Sequence, residues 1–186
     1  MRLTLHYRGV LRSNGSTAHK HETRQHFHIQ LRAVWAQRPL VENTSFLQPK
    51  RREGDYCFLR PTGNFTFVPL VTEETNTIAE LAITLLRPER PGGIITQGGD
   101  LDNRMKTLFD ALTMPRHANA LPSDVAPLES EKPHFYCLLE DDNLVTNVSV
   151  RTEELLEPVP DQSVVDVSIF VRTRVTRPTM GNRAFA

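Results

Sequence analysis

Gly98-Gly99-Asp100-Leu101-Asp102-Asn103-Arg104-Met105-Lys106-Thr107-Leu108-Phe109-Asp110-Ala111-Leu112 is the stretch whose reading orders the rest of the chain. Met105, Leu108, Phe109 and Leu112 recur at spacings of 3, 1 and 3, which gathers them on one apolar stripe of a helix. Asp102 or Asn103 is the expected N-cap, since a short side-chain oxygen there can accept from the unpaired amides of the first turn. Asp102, Lys106 and Asp110 follow one another at intervals of four, so they climb one flank of that helix as a charged row beside the stripe. Asp100 and Asp102 are two apart and leave an extended approach on the same side. The glycines ahead of them allow a close approach of backbone.

Outward from this helix, Val165-Asp166-Val167-Ser168-Ile169-Phe170-Val171 alternates as a half-buried strand, with Val165, Val167, Ile169 and Val171 on one face. Ile78 to Arg87 reads as a central strand, and Leu3 to Leu11 as a first strand ended by the turn cluster Arg12 to Ser16. Phe27, Leu31, Val34 and Trp35 mark one face of a helix from Ala18 to about Arg38. Two β-like runs, Tyr56 to Leu59 and Phe65 to Val68, are split by Pro61-Thr62-Gly63-Asn64 and read as a hairpin. Together these elements predict an α+β fold, a two-layer domain with a mixed β-sheet packed by helices. The expected organisation is one domain over 1–175, with insertions near 48–71 and 114–134, and a fraying tail over 176–186.

Composition narrows the class of protein. With 186 residues, 39% hydrophobic residues and two cysteines, Cys57 and Cys137, the chain can bury a core without disulfide staples. No run approaches the roughly 20 apolar residues that span a bilayer, so the expectation is a soluble, cytoplasmic protein. The formal net charge of zero conceals an asymmetry. Residues 1–60 hold 11 basic and 4 acidic side chains, residues 61–160 hold 7 and 16, and residues 161–186 hold 4 and 2. The basic end suits a polyanion and the acidic middle suits cations.

Phe135-Tyr136-Cys137-Leu138-Leu139 is a β-prone run that delivers Glu140-Asp141-Asp142 at its end. Three adjoining acids repel one another at neutral pH unless a cation is near, and a divalent ion is the economical remedy. If the Asp100/Asp102 pair meets the Asp141/Asp142 pair, the hard oxygens suit Mg²⁺, with Mn²⁺ as substitute, and leave coordination positions for water and phosphate. His19, His21, His26 and His28 are poorly spaced on a helix for zinc.

Asp100-x-Asp102-Asn103-x-x-Lys106-x-x-x-Asp110-Ala111-Leu112, followed by Asp141-Asp142-x-x-Val145, resembles the signature of the RusA-type Holliday-junction resolvases, small homodimeric Mg²⁺-dependent endonucleases of bacteria and prophages. Ser13-Asn14 resembles that family's amino-terminal Ser-Asn. The resemblance implies that Asp100, Asp102 and Asp142 are the metal-binding catalytic carboxylates, with Asp141 beside them, and that Lys106 is required for activity. It also implies a homodimer acting on branched DNA, with no membrane and no small-molecule cofactor. The 28 residues between Leu112 and Asp141 depart from the family's short turn and leave the substrate open among junctions, flaps, single strands and foreign DNA, as in antiviral defence.

The chemistry expected is hydrolysis of a phosphodiester by water, with Lys106 placing a positive charge on the scissile phosphate or, alternatively, pairing with Asp102 or Asp110. Arg12, Lys20, Arg24, Lys50, Arg51 and Arg52 are the expected phosphate contacts, with Arg172 and Arg174 as further candidates on the last strand. Two other functions fit less of the chain. One is a module on the same fold that binds nucleic acid or a partner without cutting; the other is a glycosidase acid dyad, which the 7% aromatic content and the basic first third disfavour.

Overall fold

In a computed structural model the chain is an α+β protein, with two α-helices and two sheets among the described residues. The structure describes residues 1–50, 52–88, 101–159, 161 and 163–185. Strands β1 (Arg2–Val10), β4 (Thr77–Arg87), β6 (Val145–Glu154) and β7 (Val164–Val175) form a four-stranded sheet in the order β1-β7-β4-β6. β7 pairs antiparallel with both β1 and β4, whereas β4 and β6 run parallel, so the sheet is mixed. Strands β2 (Arg60–Thr62), β3 (Phe65–Val71) and β5 (Phe135–Leu139) form the second sheet, order β2-β3-β5, with β3 parallel to β5. Among the described residues no helix is long and apolar enough to cross a membrane.

The strict alternation of β7 decides which side of the large sheet is covered. Val165, Val167, Ile169 and Val171 are fully buried, and the matching residues Leu5 and Tyr7 of β1 and Leu81, Ile83 and Leu85 of β4 join them in one core. Helices α1 (Thr17–Trp35) and α2 (Leu101–Leu112) close that core with Phe27, Leu31 and Trp35 from the first and Met105, Leu108 and Leu112 from the second. Contacts between the helices climb in step. Gly15 N–H donates to Thr107, Lys20 pairs with Asp110, and Arg24 donates to Thr113, so the two helices run in the same sense. The free edge of β1 is closed at its middle by Gln30, whose side chain accepts from His6 N–H at 2.9 Å and donates to His6 O at 2.6 Å.

Three expectations need correction, and the expected insertion at 114–134 takes an ordered form. The α2 helix begins at Leu101, one residue before the expected caps, so Asp102 lies inside its first turn. The hairpin forms, but its first arm is β2 and not Tyr56 to Leu59; Gly63, at φ +58°, makes the turn, while Phe58 is drawn into the core beside Trp35 and Phe46. The segment 114–134 is an ordered crossing with two short 3₁₀ turns. Its Leu121 closes a second apolar cluster with Phe65, Phe67, Phe135 and Cys137. The carboxy-terminal residues do not fray through Phe185. That ring is fully buried, stacked on Phe58 at 5.1 Å, and the buried amide of Asn182 donates to Thr75 O and Arg177 O. An aromatic residue at the end of a polar tail offsets the entropy of ordering it.

Candidate functional site

β5 brings the acid triplet to the surface. Leu138 and Leu139 are fully buried, and the chain emerges at Glu140, whose N–H donates to Val71 O. Glu140 then turns away from its neighbours: its carboxylate takes Arg60 Nε at 2.5 Å and the Glu73 N–H at 3.0 Å. Asp141 caps a 3₁₀ turn over Asp142–Leu144 by accepting from Asn143 N–H at 3.0 Å. Asp141 and Asp142 share one cation, the guanidinium of Arg116. Burial pushes the Asp141 carboxyl up, but the Asn143 amide, the neighbouring Asp142 and Arg116 outweigh it and hold the group below the usual aspartate range.

The carboxy-terminal end of α2 faces the same place. Asp142 and Arg116 line a cleft of about 320 Å³ together with Thr17, Lys20, Arg24, Asp110 and Thr113. Lys20 binds Asp110 at 2.7 Å. Arg24 is only 3% exposed; its Nε donates to Thr113 O at 3.2 Å and its Nη2 to Asp110 O at 2.7 Å, so it caps the last carbonyls of α2. Burial lowers its pKa to about 10. Arg24 Nη1 and Thr113 Oγ1, both enclosed, have no hydrogen-bond partner.

The sequence-derived site residues divide accordingly. Asp142, Lys20 and Arg24 line this cleft and Asp141 joins them through Arg116, though Arg24 is a buried cap and not the surface phosphate contact expected of it. Asp102 stands at the other end of α2, about 12 Å along the axis from Asp110, exposed and accepting from Asn103 N–H. Lys106 is exposed on the same flank and makes no ion pair among the described residues; Asp110 takes Lys20 instead. Asp100 and Arg51 lie outside the described residues. Lys50 is engaged with Glu74 at 2.8 Å, away from the cleft, while Arg12 and Arg52 are exposed. His19, His21 and His28 are buried in the α1 interface. His28 accepts the Tyr136 N–H at Nδ1 and so donates from Nε2 to Ser130 O.

The carboxylates at the cleft mouth are hard oxygen donors, and the side chain of Asp142 is 62% exposed, so the donor chemistry fits Mg²⁺ or Mn²⁺. Among the described residues, no three His, Cys, Asp or Glu side chains lie close enough together to hold one ion. Arg116 is the site residue that sequence reading missed. Its signal was a lone cation placed directly after α2 within the acidic middle of the chain. Comparison with known proteins finds no matching family model, no similar curated protein and no similar solved structure.

Proposed function

We propose that the chain is a Mg²⁺-dependent endonuclease that hydrolyses phosphodiester bonds in branched or otherwise structured DNA, as its resemblance to RusA-type resolvases implies. The observation that supports this reading best is the Asp141–Asp142 pair, delivered by a buried strand so that Asp142 lines a cleft with Lys20, Arg24 and Arg116, and Asp141 shares Arg116 with it. The resemblance assigns the ion to Asp100, Asp102 and Asp142, with Asp141 beside them; of these, Asp141 and Asp142 lie together on Arg116, and Asp102 stands at the far end of α2. When bound, the ion supplies activation of water and charge for the departing 3′ oxygen. Lys106, without a carboxylate partner among the described residues, presents an ammonium to the charge that builds on the phosphate oxygens. Lys20 and Arg116 attract and orient the strand. The homodimer, the bacterial or prophage origin and the cytoplasmic setting belong to the same reading; a two-fold protein would match the two symmetric strands of a junction.

Labelled four-way junction, flap, duplex, single strand and RNA, incubated with and without Mg²⁺ or Mn²⁺, test it directly. Metal-dependent cutting is expected, with Asp102→Asn and Asp142→Asn still binding DNA but no longer cutting. Absence of cutting on every substrate, or full activity in both variants, overturns it. One observation favours a second reading: Arg116 already places a positive charge against both carboxylates of the acid pair. A module that binds nucleic acid and does not cut it would show equal affinity in EDTA and in Mg²⁺, and no cleavage.

A further inference from the structure

The side of the four-stranded sheet opposite the helices carries a second feature that the cleft does not use. Alternation along β7 sends Asp166, Ser168, Phe170, Arg172 and Arg174 to this side. The pairing register places Thr4 and Ala82 beside Phe170, and Arg2 and Glu80 beside Arg172. Phe170 is 44% exposed, the one aromatic among the exposed large hydrophobic residues that the structure describes. Its neighbours across the sheet are small, so both strand partners leave the ring face bare. Burying a phenyl ring is worth far more than leaving it in water, and no helix packs against this side among the described residues.

Charge is concentrated next to the ring. Arg2, Arg172 and Arg174 line one broad concavity with Pro178. Arg172 and Arg174 share one carboxylate, Glu80, which lies 3.6 Å from the first and 2.9 Å from the second, and Arg2 has no ion pair among the described residues. Three guanidinium groups around one acid leave a net positive patch. Phe170 and Arg172 are two residues apart on the same side of a strand, which separates them by about 7 Å. A bare aromatic face with guanidinium groups one step away is the combination that holds a base by stacking and its phosphate by charge.

We infer that this open sheet face, centred on Phe170 with Arg2, Arg172 and Arg174 beside it, binds single-stranded nucleic acid, a site separate from the acid-lined cleft. The polyanion complements the patch, and the ring supplies the contact that an undifferentiated basic surface lacks. Glu80 fixes two of the guanidinium groups in place in the absence of the strand. A strand held here needs no metal, so the inference stands whether or not the cleft cuts DNA.

Fluorescence anisotropy of a labelled 12-nucleotide strand in EDTA, with duplex of equal length as competitor, tests it. Phe170→Ala is expected to weaken single-strand binding about 5- to 150-fold, with Phe170→Trp retaining it, because stacking and not side-chain volume carries the contact. Arg172→Gln with Arg174→Gln is expected to flatten the logarithmic salt dependence by about 1.4, corresponding to two lost phosphate contacts. Phe170 lies on the surface, and an unchanged circular dichroism melt confirms the fold of each variant. Wild-type affinity in both variants overturns the inference. So does equal competition by duplex, or a concentration-dependent self-association without nucleic acid that Phe170→Ala abolishes, since the face then belongs to a second copy. Asp142→Asn, which tests the cleft, should leave this binding unchanged.

Discussion

Replacing Arg116 by Gln removes the one cation that touches Asp141 and Asp142 among the described residues. The three side chains are 58%, 31% and 62% exposed, so the two ion pairs are surface pairs. Such pairs contribute about 0.2–1 kcal/mol each, and together about 2 kcal/mol at most. A divalent ion entering between the carboxylates must displace the guanidinium. Its apparent affinity in the variant should therefore rise by the free energy no longer lost in that displacement, about 2-fold to 30-fold. Metal-free stability should fall by no more than the same small amount, and less in high salt, where exposed pairs are screened. Titration with Mn²⁺, reading the free ion by electron paramagnetic resonance at low ionic strength, measures the first quantity; urea unfolding without metal measures the second. Lower or unaltered Mn²⁺ affinity in Arg116→Gln would show that metal and arginine do not compete, and the acid pair would no longer qualify as half of a metal site.

Other outcomes follow from the packing. Phe185→Ala should destabilise the protein by about 3–5 kcal/mol, the range for a fully buried phenyl ring, and shift the urea midpoint by about 2 M; a shift under about 0.3 M would mean that the end of the chain is not docked in solution. Stability should fall as pH drops below about 6.5. Burial lowers the pKa of His19, His21, His28 and His134, so the unfolded chain binds more protons in that window and stability is complete only above it. Urea midpoints at pH 7.5 and 5.0 check this, and equal values would refute it. His21→Leu should reduce the slope, because His21 sits against Phe65 and Phe135 with neither ring nitrogen partnered. Arg24→Met should cost about 2–4 kcal/mol in unfolding experiments by uncapping the Asp110 and Thr113 carbonyls, although it removes a buried charge.

What the sequence made legible was whatever a single period could report. β7 and β4 bury one side completely and both helices bury most of one side, and their apolar spacings place them correctly. β6 gave no such signal: eight of its ten residues are exposed and none is buried, because it forms an edge beyond the reach of the helices. The arm of the hairpin and the docked tail were misjudged for a common reason, the aromatic cluster of Trp35, Phe46, Phe58 and Phe185, which joins four distant segments and has no local pattern. In the site, the acid pair was visible because like charges in sequence are conspicuous. Arg116, which answers them, is separated from Asp141 by 25 positions and became apparent only from the fold.

The two margins of the large sheet are unequal. β1 is stoppered at His6 by Gln30, whereas β6 pairs with β4 alone among the described residues and offers Val148 and Val150 uncovered. A ribbon that can grow on one side only terminates as soon as two such sides meet, so any association through strand addition closes at a pair and cannot propagate into a fibre.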